Sequence, residues 1–341
     1  MITFPSFAKI NLGLKIGPRR SDGFHELRTI YQTLALHDVI HVDVQPGEGI
    51  EIRCGDPRVP LDASNTCYKI AERVMKAAKA GGKVIVEIEK KLPVQGGLGA
   101  ASANAVATML ALERALGLQL DLTEKLRIAA DVGSDLPLFL IGGTVLGVGR
   151  GEEVYALTDL PTMHVVVVTP AVGVSTPRAF ARWDELHPAA ALTATTPAGT
   201  INTFSEGVFA WLSRNFPQDA APNSPDIVAG LRRAKPASGV PAGGGDRAET
   251  PLLDLVRTGI ENDFERVVFP EYPELREVKE LLQREGAFYA SLSGSGSTLY
   301  GLFDSAREAQ AAAERMGAAG HAAIATTSLR RAEYWEAVVS G

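Results

Sequence analysis

The chain has 341 residues, of which 45% are hydrophobic and 22% charged, which is typical of a folded globular protein with a sizeable core. Its formal net charge of -6 argues against binding to nucleic-acid backbones, because that affinity needs clustered cations. No apolar run approaches the roughly 18 residues of a membrane span, and a strand pattern begins at once, so we expect a cytoplasmic protein without a signal peptide.

Extended chain is predicted for the first part of the sequence, where β-branched and apolar residues recur at short spacing. Three strands are expected, at residues 7–16, 29–35 and 39–45. The polar residues 17–23 form a loop after the first strand, and a helix is predicted at 65–80 from the helical spacing of its apolar side chains. Cys54 and Cys67 lack the spacing of metal ligands and are expected to be reduced, buried thiols.

The most informative segment is a run of very small residues between a predicted strand at 83–89 and a predicted helix that begins near Ala101. It reads Leu92-Pro93-Val94-Gln95-Gly96-Gly97-Leu98-Gly99-Ala100. A loop without bulky side chains lets backbone N–H groups approach an anion, and the helix N-terminus adds a partial positive charge. A phosphate site is one interpretation, and a tight turn that only packs the helix on the sheet is the other.

Two known glycine-loop folds do not fit this segment. In a P-loop a lysine and a hydroxyl residue directly follow the last glycine, whereas alanines follow Gly99 here. A dinucleotide-binding loop starts straight after its strand, whereas residues 90–93 intervene here, and the next segment, at 122–130, is again helical. A nicotinamide-binding fold is therefore not expected.

The second half of the chain alternates irregularly between strands and helices. Strands are predicted at 163–169, 288–293, 297–303 and 322–327, and helices at 177–184, 274–285 and 305–316. Because many predicted strands are neighbours in sequence, the pattern favours an α+β fold with largely antiparallel sheets over a doubly wound one. Residues 187–250 are rich in Ala, Thr, Pro and Gly and are expected to form a flexible insertion, with one short amphipathic helix at 205–214.

Three further segments carry side chains suited to chemistry. Lys9 and Asn11 lie two apart in a predicted strand, which puts them on one face if the strand is regular; a lysine there is by default a solvated edge charge. Asp135 stands two residues before Pro137, where an acid is by default an N-cap but can also take a proton from a substrate hydroxyl. A second glycine-serine run, at 291–301, has a plain hairpin turn as its default interpretation.

Taken together, the order and spacing of these segments resemble those of the GHMP kinase superfamily. Its three motifs match Ala8-Lys9-Ile10-Asn11-Leu12, Pro93 to Gly99, and Ser293-Gly294-Ser295-Gly296-Ser297. Within the superfamily, the likeness is sharpest to kinases of a cytidine diphosphate sugar alcohol, and rests on Asp22-Gly23-Phe24-His25, Gly133 to Pro137, Val174 to Pro177 and Asn262 to Glu265. The matches cover residues 1–184 and 251–341.

The resemblance implies a two-lobe α+β fold with mixed or antiparallel sheets and an active-site cleft between the lobes. Residues 1–158 would form the ATP-binding lobe and residues 159–341 the second lobe, which would contain the insertion at 187–250. ATP and Mg²⁺ are the implied cofactors, although the ligands of the metal are not assigned. A monomer or homodimer with a small-molecule substrate is expected, with neither nucleic acid nor a membrane as a partner.

The resemblance also implies residue roles. Asp135 is the expected catalytic base, and Lys9 is the cation that holds the substrate hydroxyl and the developing charge. The residues expected to wrap the ATP phosphates are Pro93, Gly96, Gly97, Leu98, Gly99, Ala100, Ala101, Ser102 and Ala103. Those expected to contact substrate are Asn11, Phe24, His25, Thr176 and Phe180, with the two phenylalanines stacking on cytosine. The family usually has glycines and paired serines where Ala100, Ala101 and Ala103 stand, so the geometry of this loop stays open.

The implied reaction is ATP-dependent phosphorylation of the 2-hydroxyl of cytidine diphosphate methylerythritol, in non-mevalonate isoprenoid synthesis. A homoserine or mevalonate kinase of the same superfamily is one alternative, and such enzymes lack the segment Asp22-Gly23-Phe24-His25. A catalytically silent relative that only binds a ligand is the other alternative. It would be expected to lose Lys9 or Asp135, and both are present.

Overall fold

The computed structural model of the protein describes residues 1–94, 96–188 and 261–340. The predicted helix at 205–214 and all but the first two residues of the predicted insertion at 187–250 lie outside the described residues. Within the described ranges, no helix is both long and apolar enough to cross a membrane.

A six-stranded sheet forms the centre of the first half of the chain. Its strands are β1 (Ile2–Arg19), β2 (His25–Gln45), β3 (Ile50–Cys54), β4 (Lys83–Glu89), β5 (Thr144–Val148) and β6 (Glu153–Ala156). They lie in the order β3-β4-β2-β5-β6, with β1 paired to β2. These pairs are antiparallel except for β3 with β4, which is parallel.

Four helices accompany this sheet: α1 (Thr66–Ala78), α2 (Ala100–Leu116), α3 (Leu122–Val132) and α4 (Leu136–Phe139). The Asn65 side chain accepts a hydrogen bond from the backbone N–H of Cys67 and so caps α1. Helix α2 is apolar almost all round, and every residue from Ala103 to Met109 is buried, because α1 and strands β1 and β2 all pack against it. This buried helix fixes the position of the glycine-rich loop that precedes it.

A four-stranded antiparallel sheet forms the centre of the second half. Its strands, in the order β10-β7-β9-β8, are β10 (Ala322–Thr327), β7 (His164–Thr169), β9 (Leu299–Phe303) and β8 (Tyr289–Leu292). The helices among the described residues of this half are α5 (Thr176–Leu186), α6 (Glu265–Glu271), α7 (Pro273–Arg284), α8 (Ala306–Ala318) and α9 (Arg331–Ser340). Helices α7 and α8 pack on the sheet and bury apolar faces that include Leu282 and Met316.

The α+β class with mostly antiparallel sheets is confirmed, and several element boundaries differ from the predictions. Two predicted strands are one continuous strand, β2. Strand β1 continues into the predicted loop at 17–23, because Arg19 pairs with His25 across the turn. Strands β5 and β6 and helices α6 and α9 were not predicted. Of the two free thiols, Cys67 is buried as expected, whereas Cys54 is only half-buried, which corrects the prediction.

The two halves are joined through β1 and α9. The backbone of Leu14 forms two hydrogen bonds with the second half of the chain. The Leu14 N–H donates to Glu261 O and the Asp263 N–H donates to Leu14 O, both at 2.9 Å. Helix α9 packs back onto the first sheet, where the Tyr334 ring lies 5.3 Å from the Phe7 ring. The last helix of the chain therefore completes the core of the first lobe, and the cleft between the lobes is bordered by β1 on one side.

Candidate active site

The glycine-rich loop is held against the second glycine-serine loop, which connects β8 to β9. Ser293 Oγ donates to Gly97 O at 2.9 Å, and the Thr298 N–H donates to Gly96 O at 3.1 Å. A Cβ atom at Gly97 would lie 2.2 Å from Ser293 O, and one at Gly96 would lie 2.6 Å from Thr298 Oγ1. The glycines are therefore required because two loops, one from each half of the chain, pack backbone to backbone.

The loop leads directly into the N-terminus of α2. Gly99 is the N-cap in a left-handed conformation, with φ of 70°, and contributes no side-chain cap hydrogen bond. The first turn contains no acidic side chain, so the N–H groups and the positive end of the helix dipole are available to an anion. Ala103 is the exception among the predicted residues: its N–H donates to Gly99 O at 2.9 Å and its side chain is buried in the core. Its contact with the nucleotide stays a prediction.

A cavity of about 310 Å³ lies beside this helix terminus. The predicted loop residues that line it are Pro93, Gly96, Gly97, Leu98, Gly99, Ala100, Ala101 and Ser102. Its other walls come from the start of α1, with Asn65 and Thr66, and from Lys90 at the end of β4. The helix terminus can attract a polyanion, and Val59, Pro60 and Ile88 add apolar surface to the same cavity.

Asp38, which sequence reasoning missed, holds the start of the glycine-rich loop. Its fully buried carboxylate accepts hydrogen bonds from the backbone N–H groups of Lys91 and Leu92, both at 2.6 Å, and from Lys90 Nζ at 2.7 Å. It also accepts from Asn104 Nδ2 at 3.1 Å, on α2. A single acid thus ties the residues before the loop to the helix after it. Because Asp38 precedes this loop by more than fifty residues, local sequence patterns carry no signal for it.

Lys9 and Asp135 form an ion pair in a second cavity, with Lys9 Nζ 3.2 Å from Asp135 Oδ2. Lys9 is only 3% exposed, so it is not a solvated edge charge. Asp135 occupies the N-cap position of α4 but makes no cap hydrogen bond, because its carboxylate faces Lys9 and the hydroxyl of Tyr31 instead. A half-buried carboxylate held by a cation can accept a proton from an alcohol.

Sequence reasoning also missed Tyr31, which lies beside the Lys9–Asp135 pair. Its hydroxyl donates to Asp135 Oδ1 at 3.1 Å, and the Lys9 ammonium lies 5.4 Å from its ring centroid. Burial raises the pKa of Tyr31 well above its ordinary value, and the charge of Asp135 raises it further, so the phenol stays a donor. Tyr31 lies opposite Asn11 in the β1–β2 register, which is the long-range pairing that the sequence pattern did not resolve.

Asn11 supports Lys9 from the same strand. Its Oδ1 accepts from Lys9 Nζ at 2.7 Å, and its Nδ2 donates to Thr29 Oγ1 at 2.7 Å. Asn11 is buried, and both ends of its amide are engaged within the protein. Thr176, at the start of α5, shares a hydrogen bond of 2.7 Å with Ser295 Oγ of the second glycine-serine loop. Both residues line the second cavity, as the sequence predicted for a common site.

The second cavity, of about 600 Å³, also contains the predicted aromatic residues. Phe24 is 53% exposed, and the guanidinium of Arg150 lies 5.0 Å from its ring centroid. Phe180 is half-buried and stacks on the His25 ring, with centroids 5.0 Å apart and planes 8° apart. Its edge contacts Phe264. The cavity thus brings together Lys9, Asn11, Phe24, His25, Asp135, Thr176 and Phe180, and Gly97 lines both cavities.

Family models match both halves of the chain. The GHMP kinases N terminal domain matches residues 65–143, and the GHMP kinases C terminal model matches residues 249–322. A curated 4-diphosphocytidyl-2-C-methyl-D-erythritol kinase of Solibacter usitatus (strain Ellin6076) is 35% identical over 298 residues, which are 87% of this chain and 80% of that protein. The chain belongs to the GHMP kinase family. As a GHMP kinase it is an ATP-dependent phosphotransferase, and the predicted two-lobe fold is confirmed.

Solved structures agree with this assignment. A crystal structure of 4-(cytidine 5'-diphospho)-2C-methyl-D-erythritol kinase is 27% identical and superposes with a TM-score of 0.68, covering 96% of this chain and 98% of that one. A homoserine kinase from Cytophaga hutchinsonii superposes with a TM-score of 0.66 at 19% identity, covering 97% and 95% of the two chains. At that identity the second likeness concerns the fold alone.

Proposed function

We propose that this GHMP kinase transfers the γ-phosphoryl group of ATP to the 2-hydroxyl of 4-(cytidine 5'-diphospho)-2-C-methyl-D-erythritol, in non-mevalonate isoprenoid synthesis. The observation that carries the proposal is one cavity that holds the Lys9–Asp135 pair together with Phe24, His25 and Phe180. Its acidic and basic pair suits an alcohol acceptor, and its aromatic rings suit a nucleobase. The curated relatives of that name support the same substrate.

The proposed proton transfer involves Asp135 and Lys9. The acceptor hydroxyl would donate its proton to the Asp135 carboxylate as its oxygen attacks the γ-phosphorus. Lys9 would hold the hydroxyl and stabilise negative charge that develops on the transferred group. Because phosphoryl transfer needs positioning and charge neutralisation more than covalent help, this small set of side chains suffices. Tyr31 and Asn11 would orient the pair through their hydrogen bonds to it.

The nucleotide site that we propose is the cavity beside α2. Gly96 and Gly97 have no room for a Cβ atom, and one at Gly99 would lie a tight 3.0 Å from Lys9 Cγ and Phe139 Cζ. A loop without side chains lets its backbone N–H groups approach a phosphate chain closely. Ala100 and Ala101 keep their backbone donors although they add methyl groups. Mg²⁺ neutralises phosphate charge when it is bound, and it would be held mainly by the phosphates and water, with the Ser102 hydroxyl as a protein ligand.

The lobe boundaries at 158 and 159, the cytoplasmic location, and a monomeric or homodimeric state stay predictions. The homoserine and mevalonate kinase alternatives predict other acceptors for the same fold. A silent relative predicts no turnover at all. These alternatives are separated by one assay of purified protein with ATP and Mg²⁺, in which ADP release is measured with the cytidine substrate, with homoserine and with mevalonate.

We expect ADP release with the cytidine substrate, and phosphorus NMR of the product should place the new phosphate on the 2-oxygen. Turnover of homoserine or mevalonate in its place would favour the corresponding kinase. Absence of turnover with all three, at normal ATP binding, would favour a silent relative.

Phe24→Ala tests the nucleobase pocket. Base–aromatic stacking contributes about 1–3 kcal/mol per ring, so the dissociation constant of the cytidine substrate should rise by roughly ten- to a hundredfold, with ATP affinity unchanged. Calorimetric titration of each ligand measures this. Tyr155→Ala, which removes another exposed aromatic ring outside both cavities, is the matched control. Weaker ATP binding with unchanged substrate binding would assign the ring to the nucleotide site.

A further inference from the structure

Asp184, on α5, faces the imidazole of His25 at the wall of the second cavity. His25 Nε2 lies 2.7 Å from Asp184 Oδ1, and both residues line that cavity. His25 is buried, whereas the carboxyl of Asp184 is half-buried. At this distance the two atoms share one hydrogen, and a carboxylate can only accept it, so Nε2 carries the proton. Among the described residues, the hydrogen bond to Asp184 is the one that the His25 ring makes, which leaves Nδ1 for a ligand.

The His25 ring lies nearly parallel to Phe180, which sets the plane of any neighbouring base. The centroids are 5.0 Å apart and the planes 8° apart, and ring planes in contact are about 3.5 Å apart, so the rings are offset. A base that lies flat beside the imidazole, on the same face of Phe180, is therefore coplanar with the imidazole. In that arrangement the ring nitrogen of His25 and the edge of the base can form a hydrogen bond in their common plane.

The tautomer of His25 decides whether its free ring nitrogen can pair with a donor or with an acceptor on the edge of the base. With the proton on Nε2, Nδ1 is an acceptor and matches the 4-amino group of cytosine, which is a donor. The 4-oxygen of uracil is an acceptor, and two acceptors facing each other in a partly dry pocket repel and leave both unsatisfied. A site built on a hydrogen bond therefore rejects the base that cannot make it.

We infer that Asp184 is a specificity-positioning residue: it holds His25 in the tautomer whose Nδ1 accepts from cytosine, and so makes the enzyme select cytidine over uridine. This inference rests on the proposed function, because it concerns the base of the proposed substrate. Asp184 acts through His25 and does not itself contact the base. A carboxylate is suited to this role because, unlike an amide, it cannot donate to Nε2 and stabilise the other tautomer.

The test is Asp184→Asn, assayed with the cytidine substrate and with its uridine analogue at about pH 8.5, above the range in which imidazoles usually titrate. We expect the ratio of the two kcat/KM values to fall by about tenfold or more, because the amide of Asn permits both tautomers. Long-range ¹H–¹⁵N spectra of the histidine side chains should show the proton on Nε2 of His25 in the wild type and a mixture in the variant. Glu185→Gln, the next residue on α5, pairs with Arg182 and is the matched control.

Two results would overturn the inference. One is a variant in which kcat/KM falls equally for both substrates, since that is the effect of a merely structural contact between α5 and β2. The other is a wild-type spectrum with the proton on Nδ1 of His25. A wild type that turns over neither substrate would instead contradict the proposed function, and the spectra alone would then decide the tautomer.

Discussion

The buried contact between Asp135 and Lys9 changes the structural interpretation of both residues. The sequence offers an N-cap and an edge lysine as ordinary explanations, yet the carboxylate leaves the cap position unsatisfied and the ammonium is 3% exposed. An acid that forgoes its local backbone partner for a buried cation does not serve helix stability, and this geometry supports the catalytic roles proposed for both residues. These roles could be proposed from the sequence because both motifs are local and resemble those of GHMP kinases.

Asp135→Asn is expected to reduce kcat by about a hundred- to ten-thousandfold, which is the usual value of general-base assistance. The amide is isosteric, so ATP and substrate should still bind, which calorimetric titration would verify. A loss of less than tenfold in kcat would contradict the role of Asp135 as the base. Combining this change with Lys9→Ala should cost less than the sum of the two single effects, because both residues act on one step.

Tyr31→Phe removes the phenol that donates to Asp135. That hydrogen bond orients the Asp135 carboxylate, so without it we expect kcat to fall while ATP and substrate still bind, which rate measurements and calorimetric titration would check. Because the pKa of Tyr31 is raised by burial, the phenol itself should not produce an alkaline limb below its ordinary range. Tyr334→Phe, which removes a buried hydrogen bond to Phe139 O on α4, is the control and should leave kcat unchanged.

At the scale of elements, the glycine-rich loop is shaped by a contact that no local pattern contains. The sequence predicts strand, loop and helix correctly, and it identifies both glycine-serine motifs. No local pattern indicates that Ser293 O lies so close to Gly97 that a side chain at this position is excluded. The strands β5 and β6 were missed for a related reason, since they are short and hold together by pairing with β2 and with each other.

Gly97→Ala should disrupt the nucleotide site. The new Cβ would lie 2.2 Å from Ser293 O, so one of the two loops must move and the N–H cradle loses its geometry. We expect the KM for ATP to rise at least tenfold, with a smaller effect on the KM for substrate. Gly49→Ala is a matched control, because Gly49 also has a positive φ but nothing lies within 4 Å of its Cβ position. Equal effects of both variants would indicate backbone strain rather than the loop contact.

At the scale of the whole molecule, the matched family models leave residues 144–248 uncovered. Within that stretch, residues 216–250 combine many Pro, Gly and Ala residues, a composition that buries little apolar surface. Replacing residues 216–250 by a short Gly-Ser linker is therefore expected to leave the thermal midpoint and turnover largely unchanged, because loop length affects closure entropy only weakly. Circular dichroism and the ADP-release assay measure these two quantities. Lost turnover in a folded variant would show a catalytic role for the segment.

The general architecture could be predicted because hydrophobic periodicity marks most helices and strands. The return of α9 to the first lobe could not, because a ten-residue helix at the end of the chain carries no indication of its partner. Its contacts, such as the hydrogen bond from Tyr334 to Phe139 O, join residues that are 195 positions apart. Long-range pairings of this kind are determined by the folded core as a whole.

The bonds of Leu14 to Glu261 and Asp263, and the packing of Tyr334 on Phe7, have a consequence for synthesis on the ribosome. Strand β1 leaves the ribosome well before the residues that cover it are translated. Tyr334 lies 327 residues after Phe7, so at about 5–20 residues per second β1 waits roughly 16 to 65 seconds for it. During that interval β2 is the partner that β1 can acquire early, while Phe7 stays uncovered by α9. A newly made chain therefore presents apolar surface to chaperones until α9 has been translated.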